Sequence, residues 1–176
     1  MKKLLILDVD ETLIHATNAW RPTAPHTIDE LLGAIYLRPH WPYFVTMMQP
    51  YYDLALWTAA SESYLAKIQQ HLFANVPFVF TWSRKDCRQA QYPDGSPLFI
   101  KSLSQLESKY SLAQVLVVDD RQEALSENND NLVLMPPFFG DVQDCFLPLL
   151  AARLQQWSTS SDVRCINKTR WHLTKA

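Results

Sequence analysis

Hydrophobic positions along this chain gather into short unbroken runs, separated by longer stretches in which they recur with helical spacing. Leu4 to Leu7, Tyr52 to Trp57, Pro77 to Trp82, Gln114 to Val118 and Asn131 to Met135 each have the length and density of a strand buried on both faces. Between them, Pro42 to Met48 predicts a helix whose early proline gives up only an N–H that would be unpaired anyway. Ser61 predicts an N-cap for a helix over Glu62 to Leu72, and Ser102 one for a helix running to about Tyr110. A short helix is expected near Glu123 to Glu127, and a closing amphipathic helix over Val142 to Trp157. Strand alternating with helix over this length predicts an α/β fold with a parallel sheet covered on both faces. The proline-containing stretch 16–36 reads as a hairpin or flap over the sheet end, with a brief helical turn near Ile28 to Leu32. Residues 83–97 read as irregular, around an Asp94-Gly95 turn. The expected organisation is one domain over 1–157 and a tail over 158–176, either solvated or added as an edge strand.

The first strand ends in two acids, Asp8 and Asp10, two residues apart. Ionised carboxylates cannot be buried without partners, so both belong at the strand's carboxyl end, where open α/β sheets bind ligands. No basic residue lies between Lys3 and Arg21, which leaves a bound cation as the natural neutralising partner. Three further polar features follow predicted strands: Thr58, Lys101 and the pair Asp119-Asp120. Taken singly they are a turn former, a solvated lysine and a helix entry. Taken together they fall on one edge of a parallel sheet, and acids converging there call for a hard dication with oxygen ligands, as magnesium is. Lys101 and the Thr58 hydroxyl then suit phosphoryl oxygens.

Composition narrows the class. With 176 residues, 48% of them hydrophobic, and only 3 glycines, the chain can bury a full core and is not of low complexity. A net charge of −2 supplies no basic field for nucleic acid. Three widely spaced cysteines (Cys87, Cys145, Cys165) form neither a disulfide scaffold nor a zinc motif. The apolar run after Met1-Lys2-Lys3 stops at Asp8, too early for a secretory signal, and no run approaches the ~20 residues of a membrane helix. The expectation is a cytoplasmic protein with no membrane or nucleic-acid partner.

The motifs Asp8-Val9-Asp10-Glu11-Thr12, Thr58, Lys101 and Asp119-Asp120 resemble, in order, those of the haloacid dehalogenase superfamily of phosphohydrolases. Leu37-Arg38-Pro39, Trp57-Thr58-Ala59, Val117-Val118-Asp119-Asp120, and Arg84 with Cys87, resemble more closely the RNA polymerase II C-terminal-domain and NLI-interacting-factor-like phosphatases. The resemblance implies a Rossmann-like three-layer sandwich with a small flap and no large cap. It implies Asp8 as nucleophile and Asp10 as general acid and base. Mg2+ would be held by Asp8, Asp119 and the backbone carbonyl of Asp10, and phosphate by Thr58 and Lys101. Asp120 would support Lys101 or a metal-bound water, with Thr12 and Arg84 in supporting places. Relatives of the P-type ATPase branch carry Thr where this chain has Asp10, so the second acid implies hydrolysis of the acyl-phosphate.

The expected substrate is a phosphorylated protein, on phosphoserine or phosphothreonine, approached through an open site. Trp20, Tyr36 and Trp41 are candidates to line a groove beside it or to cover the core. A small phosphomonoester metabolite is the alternative substrate. A phospho-accepting receiver domain uses similar groups, but there the lysine closes the series, whereas here Lys101 precedes Asp119-Asp120.

Overall fold

Leu4, Leu5, Ile6 and Leu7 are wholly buried, and the strand they form, β1 (Lys3–Leu7), is the middle strand of a five-stranded sheet. The computed structural model describes residues 2–19, 21 and 23–173. Trp20 therefore lies outside the described residues.

After β1 the chain leaves the sheet and builds a separate three-stranded antiparallel flap from β2 (Ile14–Thr17), β3 (Thr27–Asp29) and β4 (Gly33–Leu37), in the order β2-β4-β3. The helical turn expected near Ile28 to Leu32 is instead a β-turn. The Asp29 carboxylate accepts from the N–H groups of Leu31 (2.8 Å) and Leu32 (3.0 Å), offering the backbone a turn in place of a helix. Gly33 completes the reversal at φ +76°, where a Cβ would come within 2.8 Å of the Thr17 carbonyl oxygen, so only glycine fits.

Helix α1 (Trp41–Met48) leads to β5 (Tyr52–Trp57), and α2 (Glu62–Ile68) begins on Ser61, whose hydroxyl accepts from the Tyr64 N–H at 3.2 Å. The helix expected to reach Leu72 widens into a π-helical turn over Gln69–Phe73. Strand β6 keeps only Thr81–Trp82 of the expected Pro77 to Trp82 run, although Val79 and Phe80 still bond to β5. A proline is tolerated on such an edge because it withholds no needed donor. The stretch expected to be irregular contains a hairpin, β7 (Arg88–Gln91) and β8 (Pro97–Ile100), turning at Gly95. Strands β9 (Val115–Asp119) and β10 (Leu132–Leu134) then precede α3 (Phe146–Trp157), which starts four residues later than expected.

The sheet order is β10-β9-β1-β5-β6, with every pair parallel. From β1 the chain moves one way through β5 to β6, then returns to the other side for β9 and β10. The reversal falls between β1 and β9, the kind of crevice in which open α/β sheets bind ligands. Leu5, Leu7, Leu54, Leu56, Leu116 and Val118 face one layer, built with residues of α1, α2 and α3. Leu4, Ile6, Trp57, Val115 and Val117 face the other. That second layer is made of 3₁₀ turns, among them Leu103–Leu106, in place of the helix expected from Ser102 to Tyr110. Four serines in 102–111 compete for backbone hydrogen bonds and weaken an α-helix there, while Leu103, Leu106 and Tyr110 still reach the core.

The stretch after Trp157 is neither a solvated terminus nor an added strand. Val163 and Trp171 are buried in the first core layer, and the Trp171 indole donates to the Leu134 carbonyl oxygen at 2.8 Å on β10. Trp41 is likewise a core residue, stacked on Phe44 and 4.9 Å from the Phe73 ring. Tyr36 is also buried and lines a 200 Å³ concavity with Pro25, Leu37 and Phe138.

Candidate active site

Backbone hydrogen bonds place each candidate side chain before its chemistry matters. The Asp8 N–H donates to the Val118 carbonyl oxygen at 2.9 Å, so the β1–β9 ladder runs one residue past β1 and fixes where the Asp8 carboxylate starts. The Thr58 N–H donates to the Trp82 carbonyl oxygen (3.0 Å) and the Lys101 N–H to that of Ala124 (2.8 Å). Asp119 closes β9. All four thus stand at the carboxyl ends of strands or just beyond them.

Between Val9 and Ile14 the loop folds tightly on itself. Leu13 and Ile14 both donate to the Val9 carbonyl, and Glu11 takes a left-handed backbone, φ +57°. Arg38 holds this loop from below. It is 1% exposed, donates to the Thr12 carbonyl at 2.8 Å, and grips Asp144 through two hydrogen bonds of 2.9 and 2.8 Å. A planar guanidinium with five donors suits such a four-way junction, and a lysine would not span it.

Lys101 is 1% exposed and donates to Asp8 Oδ1 and to Asp119 Oδ2, both at 2.6 Å. Burial works against its charge, but Asp119 and Asp8 outweigh burial and hold the ammonium above the usual lysine range. Asp8, Asp119 and Asp120 offer carboxylate oxygens that all lie within 4.8 Å of one another. One ammonium is too little for three acids. Burial pushes the Asp8 carboxyl well above its usual range despite Lys101, with Asp119 and Asp10 adding to the rise. Burial, then the Asp119 charge, pushes Asp120 up to about 6. An oxygen-only cluster short of positive charge fits a hard divalent ion, whose two charges would favour the ionised forms of Asp8 and Asp120.

The Asp10 carboxylate stands apart from that cluster. It accepts from the Thr58 hydroxyl at 3.0 Å and from the phenolic hydroxyl of Tyr64. Burial, then the charge of Asp10, keeps the Tyr64 phenol above its usual range and therefore protonated. Thr58, expected to face phosphate, here bonds Asp10 and accepts from the Ala60 N–H at 3.0 Å. Asp120 sits within the acid cluster, at 3.5 Å from the Thr12 hydroxyl, and makes no hydrogen bond to Lys101 among the described residues. Arg84 lies at the rim, donating from Nε to the Ala59 carbonyl at 2.7 Å with its guanidinium 4.7 Å from the Phe99 ring centroid. Cys87 is a packing residue whose thiol burial pushes up.

Sequence patterning missed Tyr64, which its spacing places on the apolar face of α2. The available signal was the Ser61 cap, since the first turn of a helix that starts at a strand's carboxyl end faces the same crevice as Asp8.

Fold and sequence comparison together define the class: a phosphoric monoester hydrolase on a haloacid dehalogenase-type fold. The NLI interacting factor-like phosphatase profile matches residues 3–164, and the chain belongs to that family. It is 30% identical over 187 aligned positions to the CTD nuclear envelope phosphatase 1 homolog of Drosophila melanogaster, covering 98% of this chain and 74% of the relative. It is 29% identical over 187 positions to Nuclear envelope morphology protein 1 of Saccharomyces cerevisiae, covering 94% of this chain and 41% of that protein. The solved structure of fission yeast RNA polymerase II CTD phosphatase Fcp1-R271A bound to beryllium fluoride shares the fold with a TM-score of 0.59 at 18% identity, over 88% of this chain and 50% of the other.

These relatives overturn the expectation of a cytoplasmic protein, since they are named for the nuclear envelope. Among the described residues no helix is long and apolar enough to cross a membrane.

Proposed function

We propose that this phosphatase is magnesium-dependent and hydrolyses phosphoserine or phosphothreonine in proteins through a phosphorylated Asp8. One observation carries the reading: two carboxylates two positions apart are held by different partners. Asp8 lies in the acid cluster on Lys101, and Asp10 is turned toward Thr58 and Tyr64. That divides the work between them. An Asp8 oxygen attacks phosphorus, and the departing seryl or threonyl oxygen takes a proton from Asp10. Asp10, now a carboxylate, then takes a proton from the water that attacks the aspartyl-phosphate, which returns Asp8 and releases phosphate.

Lys101 faces the phosphoryl oxygens as attack loosens its hold on Asp8, and Thr58 can turn its hydroxyl toward them. The divalent ion, held by Asp8, Asp119 and Asp120 with the Asp10 carbonyl as a further expected ligand, would supply charge neutralisation at those oxygens. The short flap follows directly on the loop that carries Asp10, and the β7–β8 hairpin leads into Lys101. An open crevice suits a protein segment, which brings its own surface to exclude water. Two of the similar proteins are named as C-terminal-domain phosphatases, which favours the same substrate class.

The test is mutational. Asp8→Asn should abolish hydrolysis of p-nitrophenyl phosphate and of phosphopeptides with the far-ultraviolet circular dichroism unchanged. Asp10→Asn should slow turnover and let ³²P-labelled enzyme accumulate. Retained turnover in the first variant, or a normal rate in the second, would refute the assignment.

A further inference from the structure

Beside the edge strand β10 lies a cavity of about 430 Å³, walled by Leu132 and Leu134 on one side and by the segment 164–172 on the other. Its charged lining is cationic in excess: Arg164, Lys168 and Arg170 against the single carboxylate of Asp130, beside the neutral polar side chains of Gln122, Asn129, Asn167 and Thr169 and the imidazole of His172. Arg164 is paired at 2.7 Å with Asp162, outside the lining. The Lys168 ammonium donates only to neutral groups, the carbonyl oxygens of Val163 (2.6 Å) and Ile166 (3.1 Å). Burial lowers it, against a modest pull from Asp130. The Arg170 guanidinium makes no hydrogen bond or ion pair among the described residues, although its carbonyl accepts from the Leu173 N–H at 2.9 Å, and its backbone is left-handed at φ +52°. His172 Nδ1 is buried with no partner among them either.

A solvated tail would spread these charges outward. Here Trp171 and Val163 anchor the segment into the core, and its cations line one space at the expense of mutual repulsion. An anion in the cavity would offset that repulsion and give the Arg170 guanidinium a partner. The place is informative as well. Leu134 pairs in register with Asp119, one strand spacing of about 4.8 Å away, and Gln122, three residues past Asp119, also lines the cavity.

We propose that this cavity is a second anion subsite, which takes a phosphorylated or carboxylate side chain from the same protein segment whose phosphoryl group lies at Asp8. The proposal rests on the protein-phosphatase reading and names which segments are preferred. A spacer of about four extended residues, at roughly 3.3–3.6 Å each, sets the separation to be tested.

The experiment uses the full chain and two fluorescently labelled phosphoserine peptides, identical except that one has Glu or a second phosphoserine four positions away and the other Gln. The wild type should show a KM at least about fivefold lower for the peptide with the second anion, at similar kcat. In Arg170→Glu the ratio of the two KM values should fall to one or invert, and in Arg170→Ala it should shrink. A ratio of one in the wild type, or an unchanged ratio in both variants, would overturn the subsite. If neither peptide is hydrolysed the protein-phosphatase reading fails by itself, and the cavity is judged by fluorescence anisotropy. Tighter binding of the second-anion peptide that Arg170→Glu removes would support it, and equal binding by both proteins would overturn it. Inorganic phosphate competing for the cavity with no effect on peptide KM would also overturn the substrate assignment.

Discussion

Tyr64 donates its phenolic hydroxyl to the carboxylate of Asp10, across a sequence separation of 54 residues. The contact joins the first turn of α2 to the loop after β1, and it leaves Asp10 with two neutral donors while Asp8 has a charged one. An oxygen that must give up and then retrieve a proton is better held by hydroxyl groups than by an ammonium, which would fix it as a carboxylate.

Tyr64→Phe keeps the ring and removes that donor. Losing a hydrogen bond to a charged group is worth about 1.5–3 kcal/mol, so kcat for p-nitrophenyl phosphate should fall by roughly tenfold or more. Thermal stability should barely move. Steady-state kinetics beside a melting curve decide it, and a rate within about twofold of wild type would show that Thr58 alone orients Asp10.

Metal removal should affect stability as well as rate. EDTA should stop turnover and Mg2+ restore it. Millimolar Mg2+ should also raise Tm by about 3–8 °C, because an ion that binds only the folded acid cluster stabilises by mass action. Asp119→Asn should lose most of that rise. Turnover that resists EDTA, with an unmoved Tm, would contradict the divalent site.

The Arg38–Asp144 pair should prove costly to break from one side. Arg38→Met leaves a carboxylate nearly buried and unpaired, a loss of about 3–5 kcal/mol, which for a chain of this size lowers Tm by roughly 10 °C. Asp144→Asn added to it should recover part of the loss while keeping the cap on the Phe146 N–H. Additive losses in a double-mutant cycle would mean that the two residues do not act as a pair.

Acid should loosen the flap before the sheet. The N–H of Leu31, and next Lys67, hold the Asp29 carboxyl below its usual range, so its folded value is depressed relative to the unfolded chain. The stability it contributes is complete above the unfolded value of about 3.9 and is lost as pH falls through the lower folded value. Asp29→Asn should therefore be less stable than wild type at pH 7, and the gap should narrow as pH drops below about 4. Urea midpoints at pH 7, 5 and 3 measure this, and a gap independent of pH would assign the effect to the turn alone.

Sequence patterning reads β1, β5 and β9 within a residue or two, because strands buried on both faces can hold little except apolar side chains. It marks Asp8, Thr58 and Asp119 as candidates because each stands at the end of such a strand, whereas Lys101 follows the half-exposed hairpin strand β8 and is marked, with Asp10 and Asp120, by a chain order that resembles a known motif series. It reads less where local and tertiary preferences compete. Residues 102–110 keep helical spacing of Leu103 and Leu106, yet their serines favour short 3₁₀ turns. The flap alternates weakly over strands of three to five residues, too short for a period to register. Trp171 lies in a polar, basic stretch where nothing nearby marks a buried residue. Tyr64 is hidden for a different reason: a phenol serves equally as apolar filling and as donor, and only the position of Asp10 shows which.

The reversal of strand order between β1 and β9 has a consequence for synthesis. Asp8 is synthesised before its partners, and Lys101 and Asp119 follow only after another ninety or more residues have been made. Until β9 slots in next to β1, the incipient crevice lacks the ammonium and the second acid that define it. A nascent or truncated chain ending before Val115 lacks β9 and with it the carboxylates of Asp119 and Asp120 that complete the acid cluster.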